Sequence, residues 1–261
     1  MTRHLRPLWL ALVLLTTLPV ARLIGAPITP RDQGRSVAWY PWVGALIGSL
    51  LAILASITHG APPAVAAVVV LIVWVGLTGG LHLDGLADCT DGAFAGHGDP
   101  ERTLAVMREP TAGPMAIIAL VLVLLTKFAA LVVVLGDIRT TSAGALLLVA
   151  VPLAARAAAA GLMTHTAYRR GNGIATDQAA WASRPAIWGS IGLSLIVTAL
   201  LLSVVGALGL AFVALAATVG WRRLWTARIG GYTGDTTGGL IELVEALLLI
   251  VVAWGGAATW A

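Results

Sequence analysis

"PPAVAAVVVLIVWVGLTGG", residues 62–80, carries no charge, and "LHLDGLADCTDGAFAG", residues 81–96, follows it at once with three aspartates. A transmembrane α-helix needs about 20 mainly apolar residues, so the first segment reads as a span. The composition agrees: of 261 residues 59% are hydrophobic and 11% charged, with a mean hydropathy of +0.93. An ordinary soluble domain carries about 25% charged residues, so this chain lacks the polar surface to sit in water. The sequence predicts an all-α, polytopic integral membrane helical bundle, one transmembrane catalytic domain over 1–261. About seven transmembrane helices are expected, near 38–58, 62–80, 112–135, 143–163, 186–204, 206–221 and 238–258. The run 8–21 is short and interrupted by Pro19, which predicts a short N-terminal interfacial or re-entrant helix. Gly206 and Gly209 predict a tight hairpin inside the 186–221 block.

The net charge of +4 comes from 15 Arg and one Lys against 12 acids. In a polytopic protein such an excess marks cytoplasmic loops and gives no reason to expect nucleic acid. Basic loops (22–37, 82–111, 164–185, 222–237) alternate with poorly charged ones (59–62 and the turn near 205). The alternation predicts that 82–111, 164–185 and 222–237 share the cytoplasmic face of a bacterial or archaeal plasma membrane. A single cysteine, Cys89, excludes an internal disulfide framework. No internal repeat supports an inverted-repeat transporter. The sequence leaves open whether the chain is a homo-oligomer.

Nine of the 12 acids fall in two segments of that shared face: Asp84, Asp88, Asp91, Asp99, Glu101 and Glu109 in the first, Asp235, Glu242 and Glu245 in the second. If 80–92 continues the preceding helix, Asp84, Asp88 and Asp91 lie within roughly 60° of one another. Three like charges on one stripe repel, and a divalent cation removes the conflict. Hard oxygen ligands suit Mg²⁺ or Mn²⁺, and Mg²⁺ typically takes one or two carboxylates plus phosphate oxygens. A solvated, capped helix end is the plainer alternative. His82 lies opposite the stripe, which predicts a structural or hydrogen-bonding role.

"GGYTGDTTGGLIELVE", residues 230–245, is the second acidic segment. Its glycines predict a flexible turn before the last span, capped by Thr236 or Thr237. Backbone N–H groups around Gly234 suit a phosphate, and Asp235 offers a ligand for a metal or a substrate hydroxyl. Lys127, Arg156, Glu242 and Glu245 lie within expected spans, where ionisable residues are functional candidates by default. The glutamates either face the site or pair with Lys127 or Arg156. Arg102 and Arg108 follow the aspartates, and guanidinium forks match phosphate geometry. Arg169, Arg170, Arg222 and Arg223 read more simply as topogenic charges.

"GGLHLDGLADCTDG", "RTLAVMREPTAGPMAIIALVLVLLTK" and "GGYTGDTTGGLIELVE", with "LTTLPV", "YPWVGALIG" and "YRRGNGIA", resemble the cobalamin synthase family, the adenosylcobinamide-GDP ribazoletransferases. The family usually reads close to M-[KR]-D-S-R-x-G where this chain has "MREPTAG", so Glu109 stands for an aspartate and Thr111 for an arginine. The resemblance implies that a hydroxyl of α-ribazole, or of its 5′-phosphate, attacks adenosylcobinamide-GDP at the corrinoid-side phosphorus and releases GMP, with Mg²⁺ as cofactor. On that expectation Asp84, Asp88, Asp91 and Asp235 hold the metal, and Asp91 and Asp88 form the catalytic pair, Asp91 accepting the hydroxyl proton. Arg102, Arg108, Lys127, Arg156, Gly234, Asp235, Thr236 and Glu242 bind substrate. The rivals are another Mg²⁺-dependent membrane enzyme of the CDP-alcohol phosphotransferase type, whose D-x-x-D-G-x-x-A-R pattern is absent, and a transporter.

Overall fold

The computed structural model describes residues 3–24, 27–138, 143–171, 174–255 and 260. Among them there is no strand, only one isolated parallel bridge between Tyr168 and Tyr232. The helices are α1 (Arg6–Leu15), α2 (Pro30–Ser36), α3 (Tyr40–Ile57), α4 (Pro63–Thr78), α5 (Leu81–Ala95), α6 (Pro100–Val106), α7 (Pro114–Ile138), α8 (Ala143–His165), α9 (Ile174–Trp181), α10 (Arg184–Leu201), α11 (Val204–Ile229) and α12 (Gly234–Gly255). Six helical stretches among the described residues are long and apolar enough to cross a membrane, and α4 with α5 brings the number to seven if that bent pair counts as one span. Large side chains such as Ile72, Leu122, Leu200, Val205, Phe212 and Leu215 point outward, the apolar girdle that lipid covers in a multi-pass membrane protein. α1 has 10 residues, about 15 Å of helix, too short to span.

The expected spans shift where local chemistry overrides hydropathy. The 62–80 segment does not run on into the aspartates: Gly79 and Gly80 both adopt left-handed φ, 62° and 71°, and turn α5 away from α4 by 84°. Residues with a Cβ rarely tolerate that conformation. Thr17 closes the bend, its N–H donating to the Leu77 carbonyl at 2.8 Å and its hydroxyl to the Gly76 carbonyl at 2.9 Å. The expected hairpin at Gly206 and Gly209 falls earlier, at Leu202–Ser203, where the Ser203 hydroxyl accepts the Gly206 N–H and caps α11. α11 then continues to Ile229, so Arg222 and Arg223 stand on a helix rather than in a loop. The basic linker before the first span is likewise helical from Pro30, opened by a Thr29–Asp32 capping box.

α8 and α12 are the most buried spans. α3 packs along α8 at backbone distance, because Gly44 and Gly48 place their Cα atoms against the Pro152 and Leu148 carbonyls. Small residues four apart permit such approach between membrane helices. Pro152 removes a helical N–H, which leaves the Leu148 carbonyl free to face Gly48. A Cβ at either glycine meets backbone, whereas one at Gly76 meets nothing within 4 Å. Gly44→Val and Gly48→Val are therefore expected to lower the melting temperature of detergent-purified protein by several degrees. Gly76→Ala, which gains about 1 kcal/mol of helix propensity, should leave it unchanged or raise it; equal behaviour of all three variants would refute the close α3–α8 contact.

Candidate functional site

The two aspartate-bearing segments meet through glycines. α5 crosses the start of α12 so closely that a Cβ at Gly85 would lie 2.7 Å from the Asp235 carbonyl oxygen. One at Gly238 would come within 3.2 Å of the His82 Cα, and one at Gly239 within 3.3 Å of the Cys89 sulfur. The expected flexible turn is thus short: Gly230, at φ 76°, ends α11, while Gly238 and Gly239 lie inside α12 as packing positions. The cap is Thr233 rather than Thr236 or Thr237. Its hydroxyl accepts the Thr236 N–H at 3.2 Å, and the Thr236 hydroxyl in return accepts the Thr233 N–H at 2.8 Å. Trp221 braces this start from α11, its indole N–H donating to the Thr236 carbonyl at 2.7 Å.

Beside this crossing lies a cavity of about 310 Å³, whose lining includes Asp84, Asp235, Gly234, Arg170, His82 and three tyrosines, Tyr40, Tyr168 and Tyr232. Arg170 engages Asp235 with both guanidinium nitrogens, at 2.5 and 3.4 Å, and also donates to the Met107 carbonyl at 3.3 Å. The segment carrying it is fixed by strand-like pairing with 230–233: the Tyr232 N–H donates to the Ala167 carbonyl and the Arg169 N–H to the Tyr232 carbonyl. Arg228 adds a link to the Ala93 carbonyl at 2.6 Å. The three segments expected on one face therefore do converge at one end of the bundle. Arg170 had read as a topogenic charge; the tyrosines carried no signal because their partners are distant in sequence. Burial pushes the Tyr168 and Tyr232 phenols up, although Arg170 pulls Tyr168 back, so both remain protonated donors near neutral pH.

Asp84 and Asp235 face the cavity, and Asp88 lies within electrostatic reach of both. Asp91, expected as metal ligand and proton acceptor, turns instead to the start of α7. It accepts the Gly113 N–H at 2.5 Å and the Ala116 N–H at 3.0 Å, so each oxygen is engaged at a helix N-terminus. Arg102 and Arg108 are exposed and do not line the cavity. Among the described residues no three His, Cys, Asp or Glu side chains converge as a metal cage. Mg²⁺ needs no such cage, being commonly held by one or two carboxylates with substrate oxygens completing the shell. The oxygen donors Asp84, Asp88 and Asp235 fit that requirement.

Lys127, Arg156 and Glu242, expected at the substrate, lie elsewhere with Glu245 in a buried cluster, exposed by 3%, 0%, 3% and 0% in that order. Lys127 on α7 donates to Glu242 at 2.6 Å and Glu245 at 2.5 Å on α12, and Arg156 on α8 pairs with Glu245. Lys127 also sits 4.8 Å from the Trp74 ring centre. Two cations thus meet two anions, as the pairing alternative for the glutamates requires. His82 joins from α5, its Nδ1 at 3.4 Å from an Arg156 nitrogen. Arginine only donates, so Nδ1 accepts and the ring is the neutral Nε2–H tautomer, a structural histidine as expected.

This is a polytopic helical membrane protein whose charged cavity opens between α5, α12 and the segment after α8. The chain belongs to the cobalamin-5-phosphate synthase family, which matches residues 7–253. Its relatives include the adenosylcobinamide-GDP ribazoletransferases of Stutzerimonas stutzeri (strain A1501), 46% identical over 95% of this chain and 97% of the relative, and of Pseudomonas fluorescens (strain Pf0-1), 42% identical over 95% and 98%. That of Pseudomonas putida (strain W619) is 43% identical over 95% and 98%. No solved structure matches the chain.

Breaking one partner of a buried ion pair costs about 3–5 kcal/mol. Lys127→Met should accordingly destabilise the protein strongly, and the double variant Lys127→Met/Glu242→Gln, which restores neutrality, should recover much of the loss. Thermal unfolding in detergent measures both. A double variant no more stable than the single one would show that the cluster is not a charge-balanced unit.

Proposed function

We propose that the protein is an adenosylcobinamide-GDP ribazoletransferase, working with Mg²⁺ at the cytoplasmic face of a prokaryotic plasma membrane. The observation that carries this reading is the similarity of 95% of the chain to relatives of that name, joined to a cavity with the carboxylates and guanidinium that a diphosphate substrate requires. A ribose hydroxyl of α-ribazole, or of its 5′-phosphate, forms a new P–O bond at the corrinoid-side phosphorus. The bond from that phosphorus to the bridging oxygen breaks, GMP departs with the bridging oxygen, and the hydroxyl proton passes to a nearby acceptor. The product is adenosylcobalamin or its 5′-phosphate.

Such a transfer depends mainly on positioning and charge neutralisation. Asp84, Asp88 and Asp235 would hold Mg²⁺, which supplies Lewis-acid stabilisation of the diphosphate. Arg170 presents a planar fork that suits phosphate oxygens, and its bond to Asp235 keeps it at the cavity before substrate arrives. Gly234 and Asp235 bring the start of α12 to the same cavity, where a helix N-terminus favours an anion. The cytoplasmic assignment is supported by Arg102, Arg108, Arg169, Arg170, Arg222, Arg223 and Arg228, all in segments at the cavity's end of the bundle.

Purified protein given adenosylcobinamide-GDP and α-ribazole should release GMP with Mg²⁺ and none with EDTA. Asp84→Asn and Asp88→Asn should each lower the rate at least about 10²-fold, and Arg170→Lys about tenfold or more, with folding intact. Asp91→Asn should act mainly on stability and leave the Mg²⁺ concentration for half-maximal rate unchanged. Undiminished GMP release in EDTA would remove the metal, and no corrinoid product from folded protein would remove the substrate assignment.

A further inference from the structure

We propose that the tyrosine-lined part of the cavity, formed by Tyr40, Tyr168 and Tyr232 with Gln178, is the seat of the nucleoside acceptor and holds its flat heteroaromatic base. The inference rests on the transferase reading and assigns one of its two substrates to a place. The Tyr168 and Tyr232 rings lie 5.3 Å apart at 60°, and all three phenols are near enough to interact electrostatically or through their rings. Tyr232 is only 1% exposed, yet its hydroxyl has no hydrogen-bond partner among the described residues. A buried polar group left in that state costs about 1–3 kcal/mol, and it faces a cavity that a ligand can fill. The Tyr40 oxygen accepts from the Gln178 amide at 3.0 Å, so its own proton is available to donate. The second buried orphan is Nε2 of His82, which also borders the cavity and whose proton the Arg156 contact fixes there as a donor.

The remaining walls select among ligands. Leu14, Leu15, Met163 and Ile241 line the same cavity and offer contact without hydrogen bonds. An alkylated benzimidazole, with few polar edges, suits apolar and aromatic walls holding a few fixed hydroxyls. Guanine instead presents adjacent N–H donors that call for a carboxylate, and the two carboxylates here are directed to Arg170 and the diphosphate end. A volume of about 310 Å³ lies at the small end of ligand sites, which suits a nucleoside and excludes a corrin ring. With the base among the tyrosines, the ribose hydroxyls project towards Asp84, Asp235 and Arg170, where the phosphorus is to be attacked.

Tyr232→Phe keeps the ring and deletes only the orphan hydroxyl, while its main-chain bonds to Ala167 and Arg169 are untouched. Tyr168→Leu deletes a ring wall. The test uses the full chain in detergent, with calorimetric titration of α-ribazole and of GMP, and steady-state GMP release with each substrate varied in turn. Tyr232→Phe should weaken α-ribazole binding and raise its KM about three- to tenfold, and Tyr168→Leu about tenfold or more. GMP affinity and the KM for adenosylcobinamide-GDP should stay at wild-type values. A selective loss of GMP affinity, or unchanged α-ribazole constants in both variants of an active enzyme, would overturn the assignment. Failure of the wild-type protein to form any corrinoid product would instead sink the transferase reading on which it rests.

Discussion

The contact between Gly85 and the backbone of Asp235 is the constraint on which the site depends. Asp84 and Asp88 belong to α5 and Asp235 to α12, and the two helices share the cavity only because one lacks a Cβ where they cross. A methyl group there would push α12 away from α5 by the better part of an ångström, and positioning errors of that size are costly in phosphoryl-type transfer. The glycines at 238 and 239 extend the contact past His82 and Cys89, so the crossing is held over two turns. The 84° turn at Gly79–Gly80 makes the crossing reachable. Without it α5 would follow the course of α4, and its aspartates could not meet the start of α12.

Such a crossing concentrates like charge, and the fold offsets this in two separate ways. At the cavity, Arg170 comes in on the segment after α8 and neutralises Asp235. Deeper in the bundle, Lys127 and Arg156 balance Glu242 and Glu245 with no net charge left over. Ion pairs taken out of water gain little net stability over apolar packing. Their effect here is geometric: α7, α8 and α12 must sit in the one register that pairs every charge. His82 is the side chain common to both regions, with one nitrogen at Arg156 and the ring at the cavity wall.

How much could be read in advance depended on the range of the interaction. The membrane class, the seven-span pattern and the gathering of acids at one end follow from hydropathy and charge summed over long windows, which local detail hardly alters. The breaks were less legible. Gly206 carries the stronger turn signal, yet Ser203 ends the hairpin because its hydroxyl caps α11, and the glycines at 238 and 239 look like a loop although they serve close packing. The site was half legible. The aspartates announce themselves on one helix face, but that face alone cannot show that Asp91 caps α7. Nor can it show that Arg170, 65 residues from Asp235, supplies the guanidinium in place of Arg102 or Arg108.

The departure at 109–111 has a physical reading in the same terms. The family's usual pattern has an aspartate and an arginine where this chain has Glu109 and Thr111, and both are exposed. What this segment contributes to the site is backbone: the Gly113 and Ala116 N–H groups that hold Asp91. Gly113 is obligatory for that contact, since a Cβ would lie 2.9 Å from an Asp91 oxygen, and the glycine is retained. The junction between this loop and α12 already contains a guanidinium, that of Arg170, bonded at once to the Met107 carbonyl and to Asp235. The segment therefore keeps its geometric role while its side chains vary, and positive charge at the junction comes from the strand-like segment opposite.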